Sequence, residues 1–137
     1  MEAKLKHLGM VQDVVNRMAS NSFLLKGWSL TLTSALIALS VNNENPLFVM
    51  VALVPCLMFW GLNGYFLRQE RLLRRLYDEV RARQPEEIDF SMKWSRDAEE
   101  KEASWLGVCF SGTLLAFHGV IMLLVFLTVL SLIFIGR

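Results

Sequence analysis

The chain has 137 residues, 54% of them hydrophobic and 20% charged, with a formal net charge of +1. That is one domain's length, more apolar than a soluble domain of this size usually is. The near-neutral balance excludes a global electrostatic pull toward nucleic acid or acidic partners.

Residues 1–22 place Leu5, Leu8, Val11, Val15 and Met18 three or four apart among charged neighbours, which predicts an amphipathic helix. Ser20-Asn21-Ser22 then predicts a boundary, because Ser and Asn cap the first turn of a following helix. No cleavable signal peptide is expected, since the first apolar block starts only after this charged segment and no small-residue cleavage site follows it.

Residues 23–67 read as a transmembrane hairpin. Phe23 to Val41 carries one charge, Lys26, near its start, where the stem snorkels to the interface beside Trp28. Leu47 to Leu67 carries none and matches the ~20 residues a helix needs to cross the hydrocarbon. The polar run Asn42-Asn43-Glu44-Asn45-Pro46 predicts a short antiparallel turn, with Pro46 suited to the first helical position. Pro55 predicts a kink in mid-span.

Across residues 68–104 the second helix is expected to leave the membrane and run to Gln84, where Pro85 stops it. Leu72, Leu73, Leu76, Tyr77 and Val80 form its apolar stripe, which meets the N-terminal stripe within a subunit or serves as an oligomer interface. Glu70–Arg74, Arg74–Asp78 and Arg75–Glu79 are expected as i,i+4 pairs. The run Arg68, Arg71, Arg74 and Arg75 either contacts anionic lipid head groups or acts only as a topology determinant. From Glu87 to Trp94 the apolar residues Ile88, Phe90, Met92 and Trp94 alternate with polar ones, a period of two. That pattern predicts a docked extended segment, an inter-subunit strand or a partner-binding edge.

Residues 105–137 hold the third apolar run. Trp105 to Gly136 is too long for one upright span and too short for two with a turn. The simplest division lays Ser104–Ala116 in the interface and gives Phe117–Gly136 to the membrane; one strongly tilted helix is the alternative.

The expected fold is thus an all-α membrane protein with three transmembrane helices and cytoplasmic amphipathic helices. Of its 14 Lys and Arg residues all but Arg137 fall on one side of these spans. The positive-inside rule makes that side cytoplasmic, giving a chain with its N-terminus in and its C-terminus out.

Inside the spans, Ser29, Thr33 and Ser40 share a helix face, which reads as pore lining or helix packing. Thr31–Ala35 and Ser34–Ala38 are small-x-x-x-small pairs that allow close helix approach. Asn63 and His118 are the strongly polar candidates near the boundary, for pore or packing alike. No acidic or basic residue lies deep in a span, which argues against proton- or cation-coupled transport. His7 and His118 have no Cys, Asp or Glu at ligand or triad spacing, and no phosphate or dinucleotide motif appears. Cys56 and Cys109 form no C-x-x-C and read as buried small hydrophobes. The chain is therefore expected to be no enzyme, with no cofactor, metal or nucleic-acid partner.

The segments Asn21-Ser-Phe-Leu-Leu-Lys-Gly-Trp28, Phe59-Trp-Gly-Leu-Asn-Gly-Tyr-Phe-Leu-Arg-Gln-Glu-Arg71, Ile88-Asp-Phe-Ser-Met92, and Trp105 with Phe110-Ser-Gly-Thr113, resemble a family of small bacterial multi-span membrane proteins. The resemblance covers most of the chain. It departs at Gly112, where the family tends to carry a basic residue, so no lipid or anion contact is carried over there. Such proteins resemble membrane partners of anti-phage operons, in which a cytoplasmic sensor triggers membrane damage; this is analogy at the level of the family. The resemblance implies a multi-pass protein of the cell inner membrane, and a homo-oligomeric effector or pore-forming subunit. The alternatives are a non-conducting anchor or scaffold for a cytoplasmic protein and a holin-like protein. Membrane lipids and further copies of the chain are the expected partners.

Overall fold

The computed structural model describes residues 1–43 and 45–135. In chain order the helices are α1 (Glu2–Asn42), α2 (Pro46–Ala82), α3 (Arg96–Lys101), α4 (Trp105–Cys109) and α5 (Gly112–Ile135), with one 3-10 turn at Pro85–Glu87. Among the described residues there is no strand. Three stretches, Glu2–Asn42, Leu47–Ala82 and Gly112–Phe134, are long and apolar enough to cross a membrane. Gly136 and Arg137, which the sequence reading assigned to the end of the third span and the far side, lie outside the described residues.

The boundary expected at Ser20–Ser22 is absent: α1 runs unbroken for 41 residues. Its buried positions His7, Val11, Val15, Ser22, Ser29, Thr33 and Ser40 follow one another at steps of four or seven. A single face therefore continues from the polar half into the apolar half, and the Ser22 hydroxyl bonds to α2 instead of capping a new helix.

The helices α1 and α2 pack antiparallel along nearly their whole length. At the polar end Lys4 Nζ donates to the Arg83 carbonyl at 2.8 Å, and at the other end Ser40 Oγ donates to the Asn45 carbonyl at 2.6 Å. Asn45 caps α2 by accepting from the Leu47 backbone N–H at 2.9 Å. Helix α2 continues past Pro55 and ends at Ala82, because Arg83 and Gln84 turn extended ahead of the Pro85 turn.

The polar end is built on Val11 and Val15 from α1 against Leu73, Leu76 and Val80 from α2. Leu72, Leu76 and Val80 are fully buried, Leu73 nearly so, and Tyr77 packs partly against the cluster. Val11 and Val15 of the protomer's own N-terminal helix thus cover Leu73, Leu76 and Val80, the within-subunit arrangement of the two that the pattern allowed. Full burial of a Val or Leu side chain is worth about 1.5–3 kcal/mol, so the two stripes meet where the chain itself can bring them together.

The alternating segment after Pro85 docks as extended chain on this cluster, with Ile88, Met92 and Trp94 packed against it. His7 Nε2 lies 3.0 Å from the Ser91 carbonyl. Phe90 breaks the alternation. Its φ of 55° turns the ring toward His7, at a centroid distance of 5.6 Å.

The third apolar run divides earlier than expected. A break at Phe110–Ser111 separates the single turns of α4 from α5, so the long helix starts at Gly112 and not at Phe117. Ser104 caps α4 by accepting from the Gly107 N–H. Helix α5 then runs antiparallel to α2, with His118 beside Asn63 and Met122 beside Cys56.

Candidate functional site

The polar groups of the bundle converge where the polar half of the hairpin meets the apolar half. Ser22 Oγ on α1 donates to Asn63 Oδ1 on α2 at 2.8 Å, and Asn63 Nδ2 donates to His118 Nε2 on α5 at 3.0 Å. Asn63 and His118 are fully buried, and Ser22 nearly so. One side-chain amide thus ties all three long helices together. In hydrocarbon such interhelical bonds contribute about 0.6 kcal/mol each, up to about 1.7. With Nε2 accepting, the imidazole proton sits on Nδ1, which is buried and has no partner. The ring lies flat against Trp60, centroids 5.6 Å apart at an interplanar angle of 7°.

Trp60 is itself held. Its Nε1 donates to the Cys109 carbonyl at 2.8 Å, and in return Trp105 Nε1 on α4 donates to the Gly61 carbonyl on α2 at 2.9 Å. These two indole bonds lock α4 onto α2, and the two glycines of α2 leave room for the close approach. A Cβ on Gly64 would overlap the Cys109 sulfur, and one on Gly61 would sit 3.2 Å from the Trp105 ring. The Phe59–Gly64 motif is therefore a docking surface for α4, with Asn63 turned inward beside it.

The hydroxyl face of α1 points the same way as Ser22. Ser29 and Thr33 are 0% and 2% exposed and face the α1–α2 seam, and neither hydroxyl has a hydrogen-bond partner. Ser40 is buried and bonded to the turn. Within a single protomer this face is covered by α2. The small residues behave oppositely. Gly27, Thr31, Ser34, Ala35 and Ala38 are exposed, on the side of α1 away from the seam.

Lys26, half-buried, lies four residues after Ser22 and three before Ser29, which places it on the same side of the helix by spacing. Among the described residues it has no ion-pair partner.

The four arginines considered for head groups all have partners within the chain. Arg75 Nε and Arg71 Nη1 reach the two oxygens of Glu102 at 3.1 and 3.4 Å, Arg74 pairs with Glu70 at 2.8 Å, and Arg68 Nε donates to the Ala103 carbonyl at 3.1 Å. Arg68 also lies 3.9 Å from Glu99. Of the three expected helical pairs only Glu70–Arg74 forms among the described residues. Arg75 is drawn to Glu102, and Glu79 accepts from Ser95 instead. Burial pushes the Glu102 carboxyl up, but hydrogen bonds from Arg75, from the Ala103 N–H and from Arg71 hold it below the ordinary glutamate range.

Asn63 and His118 are legible as candidates from sequence, and the structure brings them together. Ser22, Trp60, Trp105 and Glu102 were missed as site residues. The signal for the tryptophans was available: an indole N–H inside an apolar run needs an acceptor.

Comparison with family models, with curated proteins and with solved structures gave no match to this chain.

Proposed function

We propose that the protein is a homo-oligomeric effector of the bacterial inner membrane that makes the bilayer leak when assembled, and that it has no catalytic role. The observation that carries this reading is the outward small-residue face of α1: Gly27, Thr31, Ser34, Ala35 and Ala38 are all exposed. Helices in a bilayer associate by close packing, and small residues at i,i+4 steps are the surface that permits it. The α1–α2 seam does not use this face, so a second copy is the natural occupant. The resemblance to membrane partners of anti-phage operons supplies the biological role, with the Arg-rich end turned to the cytoplasm by the positive-inside rule.

The burial of Ser29 and Thr33 favours a second reading, a non-conducting anchor for a cytoplasmic protein, because it removes the hydroxyl face from the protomer's exterior. Ion flux from liposomes, measured with oligomer size for wild type and Ala35→Leu, separates the two. Flux from an oligomer that Ala35→Leu breaks up supports the effector. An intact oligomer without flux, even with the neighbouring gene products present, supports the anchor. A wild-type protein that is monomeric by native mass measurement overturns the oligomer.

A further inference from the structure

The inward row of α1 is built of hydrogen-bond donors with a cation among them. Ser22, Lys26, Ser29 and Thr33 succeed one another at steps of three or four, and His118 joins them from α5. Three of these polar groups, Ser29 Oγ, Thr33 Oγ1 and His118 Nδ1, are buried with no partner at all. Leaving a buried donor unpaired costs about 1–3 kcal/mol, so two on this row and a third on α5 are a costly arrangement for faces whose only task is packing. The row also lacks any counter-charge. The apolar segments 23–41, 47–67 and 112–135 contain no Asp or Glu, and Lys26 has no ion pair among the described residues.

We propose that this row is an anion path: when the assembled protein conducts, water enters the seam and Lys26 makes it select small anions such as chloride over potassium. The inference rests on the pore-forming reading above. Its chemistry follows from the residues. A hydrated anion passing the row meets hydroxyl and imidazole N–H donors in place of lost water, and the Lys26 ammonium at the mouth attracts it. A cation meets that same charge with no carboxylate to offset it. Positive side chains lining a narrow passage set anion preference in this way, and the low dielectric of the surrounding bilayer magnifies a single charge. Asn63 holds His118 by Nε2, which leaves the unpartnered Nδ1 as the donor.

The experiment is the reversal potential of the full-length protein reconstituted in planar bilayers under a potassium chloride gradient. Wild type is expected to favour chloride several-fold. Lys26→Gln should abolish most of that preference, Lys26→Glu should invert it, and Lys26→Arg should retain it, which controls for misfolding together with oligomer size in detergent. A conducting wild type that favours potassium, or a Lys26→Gln variant with unchanged selectivity, overturns the anion path and leaves the pore standing. A wild type with no conductance overturns the pore itself and the path with it.

Discussion

Asn63 stands 3.0 Å from His118 and, through its other amide atom, 2.8 Å from Ser22, so a single side chain on α2 fixes the depth of both neighbouring helices. Replacing it removes two bonds at once and strands two buried partners. Asn63→Leu is expected to lower stability by about 2–4 kcal/mol, because the lost bonds and the orphaned groups add. Ser22→Ala removes one bond and leaves the buried Asn63 Oδ1 unpaired, so it should cost about 1–3 kcal/mol and less than Asn63→Leu. Thermal unfolding in a mild detergent, followed by tryptophan fluorescence, gives both values. Equal midpoints for Asn63→Leu and wild type would remove Asn63 from its pivotal role.

Gly64 and Gly27 make a matched pair for testing the α4 contact. A methyl on Gly64 has the Cys109 sulfur in its place, whereas one on Gly27 meets nothing within 4 Å. Gly64→Ala should push α4 off α2 and expose Trp60 and Trp105, seen as a red shift and stronger quenching of tryptophan emission. In Gly27→Ala the bundle should hold and gain about 1 kcal/mol, the usual helical preference of Ala over Gly. If Gly64→Ala leaves the spectrum unchanged, α4 is not seated as described.

Leu76 is fully buried between α1 and α2. Truncation to Ala in a packed core costs about 2–5 kcal/mol. Leu76→Ala should therefore loosen the polar end of the hairpin within each protomer, with faster hydrogen exchange at residues 5–18 and 70–82. Oligomer size should stay the same. A variant that falls apart into well-ordered monomers would restore this stripe as an interface between subunits.

Glu102 makes the clamp between α2 and the segment leading to α4 sensitive to acid. Its folded-state value is depressed, so its contribution is complete above the ordinary glutamate value of 4.5 and is lost as pH falls through the lower folded value. At neutral pH Glu102→Gln should unfold at a lower temperature than wild type, since Arg71 and Arg75 lose their shared carboxylate. That gap should close only once the pH falls below the depressed folded-state value of Glu102, where both side chains are neutral. A gap that persists unchanged would mean that the charge of Glu102 is not what holds the segment.

Much of this fold is readable from local pattern. The three spans follow from apolar length, the hairpin from Asn42–Pro46 and the Pro85 stop from proline geometry, because each depends on residues close in sequence. What escaped depends on which faces meet. Ser22 looks like a cap until Asn63 is seen opposite it, and Leu76 looks available until Val11 and Val15 cover it. Arg75 has a partner four residues away, but prefers Glu102, reached only once the chain has doubled back through Pro85. The division of the third apolar run was missed for the same reason. The stop at Phe110 falls at the Ser111-Gly112 pair, where Trp60 and Gly64 of another helix seat α4.

The unbroken α1 carries a constraint of phase. Each residue of an α-helix turns the chain by about 100°, so Val11 and Val15 in the polar half and Ser29 and Thr33 in the apolar half are locked to one azimuth. Inserting one residue near Ser20 would rotate one half against the other by that angle and force a choice between the hydrophobic contact with Leu73 and Leu76 and the polar contact with Asn63. Inserting seven would restore the azimuth within about 20°, at the expense of lifting the N-terminal half by two turns along α2. The two ends of this helix thus turn as one shaft, and whatever grips its polar half dictates which face its other half shows to the bilayer.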